Sequence, residues 1–150
     1  MELNDEIRIS APRDIVYRAL NDPDVLRECI PGCEELIQHS PERLEAKVVL
    51  KIGPVKARFS GEVTLDNSKA PDEFSLTGEG KGGAAGFAKG GADVNLSTEG
   101  EETVLSYTAK VTIGGKIAQL GSRLIAGTAK KLSAKFFDKF GEIVAEQRVG

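Results

Sequence analysis

From Val55 to Asp66 apolar and polar residues alternate without interruption. Val55, Ala57, Phe59, Gly61, Val63 and Leu65 fall on one side, and Lys56, Arg58, Ser60, Glu62, Thr64 and Asp66 on the other. A period of two is that of a β-strand with one dry face. The same alternation at Ala46–Ile52, Phe74–Gly80 and Leu105–Ile113 predicts three more strands, and Leu3–Ser10 a strand that opens the chain. Gly86–Leu96 reads as a sixth, with Ala92, Val94 and Leu96 inward. Phe87 has the opposite parity, which predicts a bulge at Gly90-Gly91 that resets the register. One-sided alternation of this kind belongs to antiparallel sheets with one solvated face.

Two short helical patterns follow the first strand. Pro12 stands where a first helical turn can accept it, because its missing N–H would be unpaired there, and Ile15, Val16, Ala19 and Leu20 form the apolar stripe. A second helix is predicted after Asn21-Asp22-Pro23, with Val25, Leu26, Cys29 and Ile30 apolar and Pro31-Gly32 as the stop. Turns are predicted at His39-Ser40-Pro41-Glu42 and at Gly53-Pro54. The last quarter, from Gly114 to Val149, has no proline. At about 100° per residue it places Ile117, Gly121, Leu124, Ile125, Thr128, Ala129, Leu132, Phe136, Phe140 and Ile143 on one face. It is read as one long amphipathic helix. The whole predicts an α+β fold in one domain over residues 1–150: a curved antiparallel sheet of six to seven strands closed by a long C-terminal helix.

The first half of that helix carries Gly121, Thr128 and Ala129 where a packing helix would carry bulk. Interiors fill to crystal-like density, so small residues there leave room. Inward small residues on the strands, Gly61, Gly78, Gly80, Ala88 or Gly90, Ala92 and Ala109, face them. Glycine at sheet bends accounts for some of these, but not for small residues on both walls. An enclosed apolar site is therefore predicted between sheet and helix, of the type that takes small molecules. Its expected lining is Phe59, Phe74, Phe87, Tyr107, Ile117, Gly121, Leu124, Ile125 and Thr128.

Composition narrows the chemistry. The chain has 150 residues, a net charge of −3, two cysteines and one histidine. No apolar run approaches the ~18–20 residues of a membrane span, and the N-terminus is acidic, unlike a secretory signal. The expectation is a cytoplasmic protein, with the inner face of the membrane as a further location. Cys29, Cys33 and His39 fall short of the four ligands of a structural zinc site, so no metal is expected. Nor does the chain call for a cofactor or a nucleic-acid partner. The strand carboxylates Glu62, Asp66, Glu73, Glu79 and Asp93 have outward parity. Only Tyr107 and, near a strand end, Asp5 point inward with a titratable group, and general acid–base catalysis needs such a group inside the site. The glycine-rich run Gly78–Gly86 lacks the lysine–hydroxyl pair of a phosphate loop and reads as a hairpin. No catalytic residue is assigned.

Charge is unevenly spread. Gly114–Gly141 holds six cations against Asp138 alone, a charge of +5 in a chain of −3, which leaves −8 for the remainder. Lys116, Arg123, Lys130, Phe137 and Val144 recur every seven residues, which places them in one stripe opposite the predicted cavity. Such a stripe is either a solvated basic face or a contact surface for an acidic partner or anionic head groups.

Four segments carry a resemblance: PGC at Pro31–Cys33, GPVKARFSGEV at Gly53–Val63, GFAKG at Gly86–Gly90 and GGKIAQLGSRLIAGTAKKL at Gly114–Leu132. They are similar to the carbon monoxide dehydrogenase G-subunit family, and the order of elements resembles the helix-grip fold of the START and Bet v 1-like superfamily. The resemblance implies an accessory protein encoded with molybdenum hydroxylases, serving their membrane recruitment, maturation or electron hand-over. It carries over no catalytic residues. Some members continue past the closing helix into a tail that ends in an apolar anchor, whereas this sequence ends at Gly150. Two readings follow. One is a binding module for a lipid-like molecule such as a quinone, with a molybdenum hydroxylase and a weak anionic-membrane contact as partners. The other is a small cyclase- or hydratase-like enzyme acting on an aromatic or polyketide substrate. A tightly filled interaction scaffold would be the third, were no cavity present. The sequence leaves the oligomeric state open.

Overall fold

A computed structural model describes the backbone of residues 1–149 and the side chains through residue 147. Strand β1 (Glu2–Ile9) leads into helices α1 (Arg13–Leu20) and α2 (Pro23–Cys29). Six strands then run in sequence: β2 (Cys33–Ser40), β3 (Arg43–Ile52), β4 (Val55–Asp66), β5 (Glu73–Lys81), β6 (Phe87–Glu99) and β7 (Glu102–Gly114). A 3₁₀ strap, Lys116–Leu120, precedes the closing helix α3 (Ser122–Val149). The strands form one antiparallel sheet in the order β1-β7-β6-β5-β4-β3-β2. It is a meander from β2 to β7, with β1 added beside the last strand, so the hairpin connections alternate between two ends of the molecule.

The period-two segments became the strands expected, and their inward residues face α3. In the middle of that concave face Gly61 stands opposite Gly80 and Gly78 opposite Gly90. These glycines differ in what they allow. A Cβ on Gly90 would lie 2.1 Å from the Lys110 carbonyl oxygen, so β6 and β7 approach too closely there for any side chain. A Cβ on Gly80 would meet nothing within 4 Å. Gly90 serves the sheet, while Gly80 opens onto empty space.

Packing is concentrated at one end. Phe140 and Val144 of α3 are completely buried, with Val16 and Ala19 of α1, Cys29 of α2, and Leu105 and Leu96 of the sheet. Phe136 stacks on Phe140 with ring centres 5.9 Å apart, and Phe137 meets Phe140 edge-on. Complete burial of a side chain such as Phe140 contributes about 1.5–3 kcal/mol. Thr103, fully buried, donates its hydroxyl hydrogen to the Ala11 carbonyl at 2.7 Å and ties the start of β7 to the β1–α1 connection. A smaller apolar cluster of Phe59, Ala85 and Ile117 occupies the opposite end.

Four expectations are corrected. The last quarter is not one helix: β7 runs through Gly114, and the strap is bounded by Gly115 (φ 82°) and Gly121 (φ 96°). Both glycines occupy the left-handed half of backbone space, which breaks a helix whatever the apolar spacing suggests. Pairing of β6 with β5 and β7 continues through Gly90 and Gly91 without a shift, so there is no bulge and Phe87 keeps its outward parity. His39 lies within β2, where its ring nitrogen Nε2 is 2.8 Å from Glu45. Finally, Val144 is buried and Phe137 stacks on Tyr107, so neither belongs to an outer stripe. A seven-residue repeat drifts about 20° per repeat on a straight helix. In addition, α1 and α2 pack on the flank of α3 that the repeat reaches at its C-terminal end.

Candidate apolar site

Between the concave face and α3 lies an apolar cavity in two lobes. The larger, about 620 Å³, is roofed by the N-terminal half of α3 through Ile125, Thr128, Ala129 and Leu132. Its floor is the glycine-and-alanine patch of β4, β5 and β6, and Phe59, Ile52 and Ile117 stand at its far end. The smaller lobe, about 410 Å³, lies toward α2 between Leu26, Leu36, Phe74, Tyr107 and Phe137. Ile30, Ala46, Val63, Leu76, Ser133 and Phe136 are among the residues common to both lobes. The lobes therefore adjoin. The alternation that puts Ala46, Val48, Leu50 and Ile52 of β3 inward also puts Glu45, Lys47 and Lys51 outward, which keeps charge off the inner wall.

One polar pair interrupts this surface. The Tyr107 and Ser133 hydroxyl oxygens lie 3.0 Å apart, with the Tyr107 ring stacked on Phe137 at 6.2 Å. Two hydroxyls bring two O–H donors, and their mutual bond uses one. The second has no protein acceptor among the described residues, and so it is available to an oxygen of a guest. Thr128 donates its hydroxyl hydrogen to the Leu124 carbonyl at 2.9 Å, back into its own helix, leaving its methyl group as the apolar part of the roof. Asp5 is opposite Tyr107 in the β1–β7 ladder, but its exposed carboxylate accepts from the Glu6 N–H at 2.8 Å. Among the described residues no acid and base face each other across the cavity.

The cysteines stand apart from this chemistry. Burial pushes the Cys29 thiol from 9.0 up to about 11, with the Glu28 charge adding to the rise and Lys139 opposing it. Burial also raises Cys33. Both are free thiols, and a protonated thiol is a poor nucleophile and a poor metal ligand. Among the described residues, no three His, Cys, Asp or Glu side chains are placed to hold a metal ion.

Of the residues singled out from sequence, Phe59, Ile117, Ile125 and Thr128 stand on the large lobe and Phe74 and Tyr107 on the small one. Three do not line it. Phe87 is 36 % exposed and covers Gly114 from the outer face. Gly121 is the exposed corner between strap and helix, and Leu124, 39 % exposed, turns sideways onto Gly53. Lys116, Arg123 and Lys130 are exposed and make no ion pair among the described residues. Sequence reasoning missed the contribution of α2 and β2, through Leu26, Ile30 and Leu36, and also Ser133. Ser133 could have been found: it lies four residues after Ala129 and four before Phe137, on the flank of α3 that meets β7.

A curved antiparallel sheet gripping a long helix over an apolar cavity is the helix-grip fold, the architecture of START and Bet v 1-like proteins. The model of the carbon monoxide dehydrogenase G-subunit family, CoxG, matches residues 6–145, and the chain belongs to that family. It is similar to a conserved protein from Geobacillus kaustophilus of known crystal structure, with 30% identity, coverage of 97% of this chain and 96% of that one, and a TM-score of 0.91. Two more distant structures share the fold alone. An aromatase/cyclase from Streptomyces sp. R1128 has 12% identity, coverage of 100% and 96%, and a TM-score of 0.72. A START superfamily protein from Mycobacterium smegmatis has 12% identity, coverage of 97% and 98%, and the same TM-score, 0.72. No curated protein matches the chain significantly. Among the described residues no helix is long and apolar enough to cross a membrane.

Proposed function

We propose that the protein is a non-catalytic accessory protein that carries an elongated apolar molecule, a quinone or similar lipid, in the two-lobed cavity. In this reading it serves a carbon monoxide dehydrogenase-type molybdenum hydroxylase in membrane recruitment, maturation or electron hand-over. The observation that carries the proposal is the cavity itself: about 620 Å³ in its larger lobe, with apolar walls and one hydroxyl pair. Sites of this size and character bury small molecules through apolar contact and orient them with few polar groups. Family membership supports the link to the hydroxylase.

The test is mass spectrometry of an organic extract of the purified protein, together with Gly80→Leu. Because a Cβ at Gly80 meets nothing within 4 Å, leucine there fills space instead of displacing neighbours. Overpacking a filled core typically costs about 1–3 kcal/mol. Here stability should hold while ligand uptake is lost. A large loss of stability with unchanged uptake would sink the carrier reading.

One observation favours a second reading, a cyclase- or hydratase-like enzyme: the Tyr107–Ser133 pair could donate a proton to a bound carbonyl. The Streptomyces structure of the same fold is an aromatase/cyclase. The lack of a facing base argues for the carrier, and a turnover that Tyr107→Phe removes would reverse that preference.

A further inference from the structure

Because the hairpins of the meander alternate, they gather side chains at two ends of the molecule, and the ends differ in whether their charges are paired. The β2–β3, β4–β5 and β6–β7 connections bring Glu42, Asp72, Glu99 and Glu102 to one end, where Arg8 pairs with Glu99 and Glu102 and Arg13 with Asp72. The β3–β4 tip, the strap and the first turn of α3 meet at the other, and there the charges are Lys51, Lys56, Lys116 and Arg123, all exposed. Residues 46–61 and 103–137 contain no Asp or Glu.

Lys51 and Lys56 stand directly opposite each other in the β3–β4 ladder, and like charges so placed are destabilising. Lys47 and Arg58 of the same two strands pair with Glu35 and Glu34, whereas Lys51, Lys56, Lys116 and Arg123 have no ion-pair partner among the described residues. The first turn of α3, where an acid would ordinarily complement the helix dipole, has none. Among the described residues these four cations therefore lack a counter-charge, whereas Lys81 at the neighbouring β5–β6 connection has one in Glu79.

Its centre is apolar. Leu124 is 39 % exposed and seated on the β3–β4 tip: its Cδ2 atom would be 2.8 Å from a Cβ on Gly53. Helix and hairpin thus share one surface. Ile52, Val55 and Leu120 pack beneath it around Phe59 and Ile117, which line the end of the larger lobe. The arrangement is an exposed apolar spot, a basic rim, and an apolar cavity immediately behind.

We propose that this end docks on an anionic phospholipid bilayer. Leu124 and the β3–β4 tip lie at the interface, Lys51, Lys56, Lys116 and Arg123 engage the head groups, and the apolar cargo passes between bilayer and large lobe at the same end. The passage of cargo rests on the carrier reading; the docking does not. An acidic protein would satisfy the cations alone. A bilayer satisfies the cations, accepts Leu124, and is a reservoir of apolar molecules.

The test is co-sedimentation of the full chain with phosphatidylcholine vesicles, with and without phosphatidylglycerol, at low and high salt. Binding is expected on the anionic vesicles only, weakening with salt. The variant Lys51→Glu/Lys56→Glu/Arg123→Glu should bind about tenfold more weakly or worse, with unchanged circular dichroism. Lys130→Glu/Lys131→Glu/Lys135→Glu, on the outer flank of α3, should lose less than about threefold through long-range charge alone. Equal losses in the two variants, equal binding to neutral vesicles, or capture only by an acidic protein would each overturn the proposal. A fluorescent polyene fatty acid then separates docking from carriage. Added from solvent, it should bind wild type and the first variant alike. Delivered from anionic donor vesicles, it should transfer to that variant about tenfold more slowly. Failure of wild type to take up the probe at all would remove the carrier reading and leave vesicle docking to be judged on its own.

Discussion

The two halves of α3 belong to one uninterrupted helix and have opposite tasks. The C-terminal half sends Phe140 and Val144 into a region where α1, α2 and the sheet surround it, with Phe136 and Phe137 at the border of the cavity. The N-terminal half offers Ile125, Thr128, Ala129 and Leu132 to a sheet whose facing residues are glycine and alanine, and the space between stays open. The difference teaches that a helix periodic over its whole length need not be packed over its whole length. Periodicity says which side faces inward, and side-chain volume on both partners says whether anything fills the interior. The packed half anchors the fold, which allows the other half to leave room for a guest.

The strongest way to break this comparison is to truncate one side chain in each half. Phe140→Ala should destabilise the protein by about 3–5 kcal/mol, because it removes a fully buried ring from a filled region. Ile125→Ala should cost less than about 1.5 kcal/mol, because its neighbours already border empty space. Urea unfolding midpoints of the two variants would decide, and equal losses would mean that both halves are packed alike.

A smaller effect sharpens the packed end. Thr103→Val keeps the shape but leaves the Ala11 carbonyl without its donor, and it should cost about 1–2 kcal/mol in the same assay. At the open end, Tyr107→Phe deletes one hydroxyl from an otherwise apolar wall. Calorimetry should show cargo binding weakened by about 0.5–1.5 kcal/mol, and any larger loss would mean that the hydroxyl pair does more than orient.

The smallest contrast is one of pH. With a folded-state value of about 11 against 9.0, Cys29 favours the folded state fully below pH 9, and that contribution is lost as pH rises toward 11. Stability of the wild type should therefore fall more steeply over this window than that of Cys29→Val. Parallel curves would show that burial does not hold the thiol protonated.

Most of the sheet was legible because a period of two is a local signal: each strand from β3 to β7 announces its inner face in its own residues. The position of the cavity was legible for a related reason, since volume is a property of single side chains. Three features depended on more than pattern. The break at Gly115 and Gly121 is a matter of backbone handedness, to which apolar spacing is blind. The parity of Phe87 was resolved by unbroken pairing on both sides of β6, a property of three strands together. Val144 was assigned to the surface because a seven-residue repeat looked continuous, and only the docking of α1 and α2 makes that flank of the helix an interior. The basic residues were legible as a group. Where they converge was not, because Lys51 and Lys56 join Lys116 and Arg123 only through the course of the meander.

The open lobes also make the molecule compressible. Unfolding under hydrostatic pressure is driven by elimination of internal voids, and apolar walls hold little water to resist it. Where no cargo fills these apolar lobes and their walls exclude water, the protein should yield to pressures that ordinary domains of its size withstand. Cargo that fills them should harden it. Pressure, more directly than heat, would thus read how much of the interior is occupied.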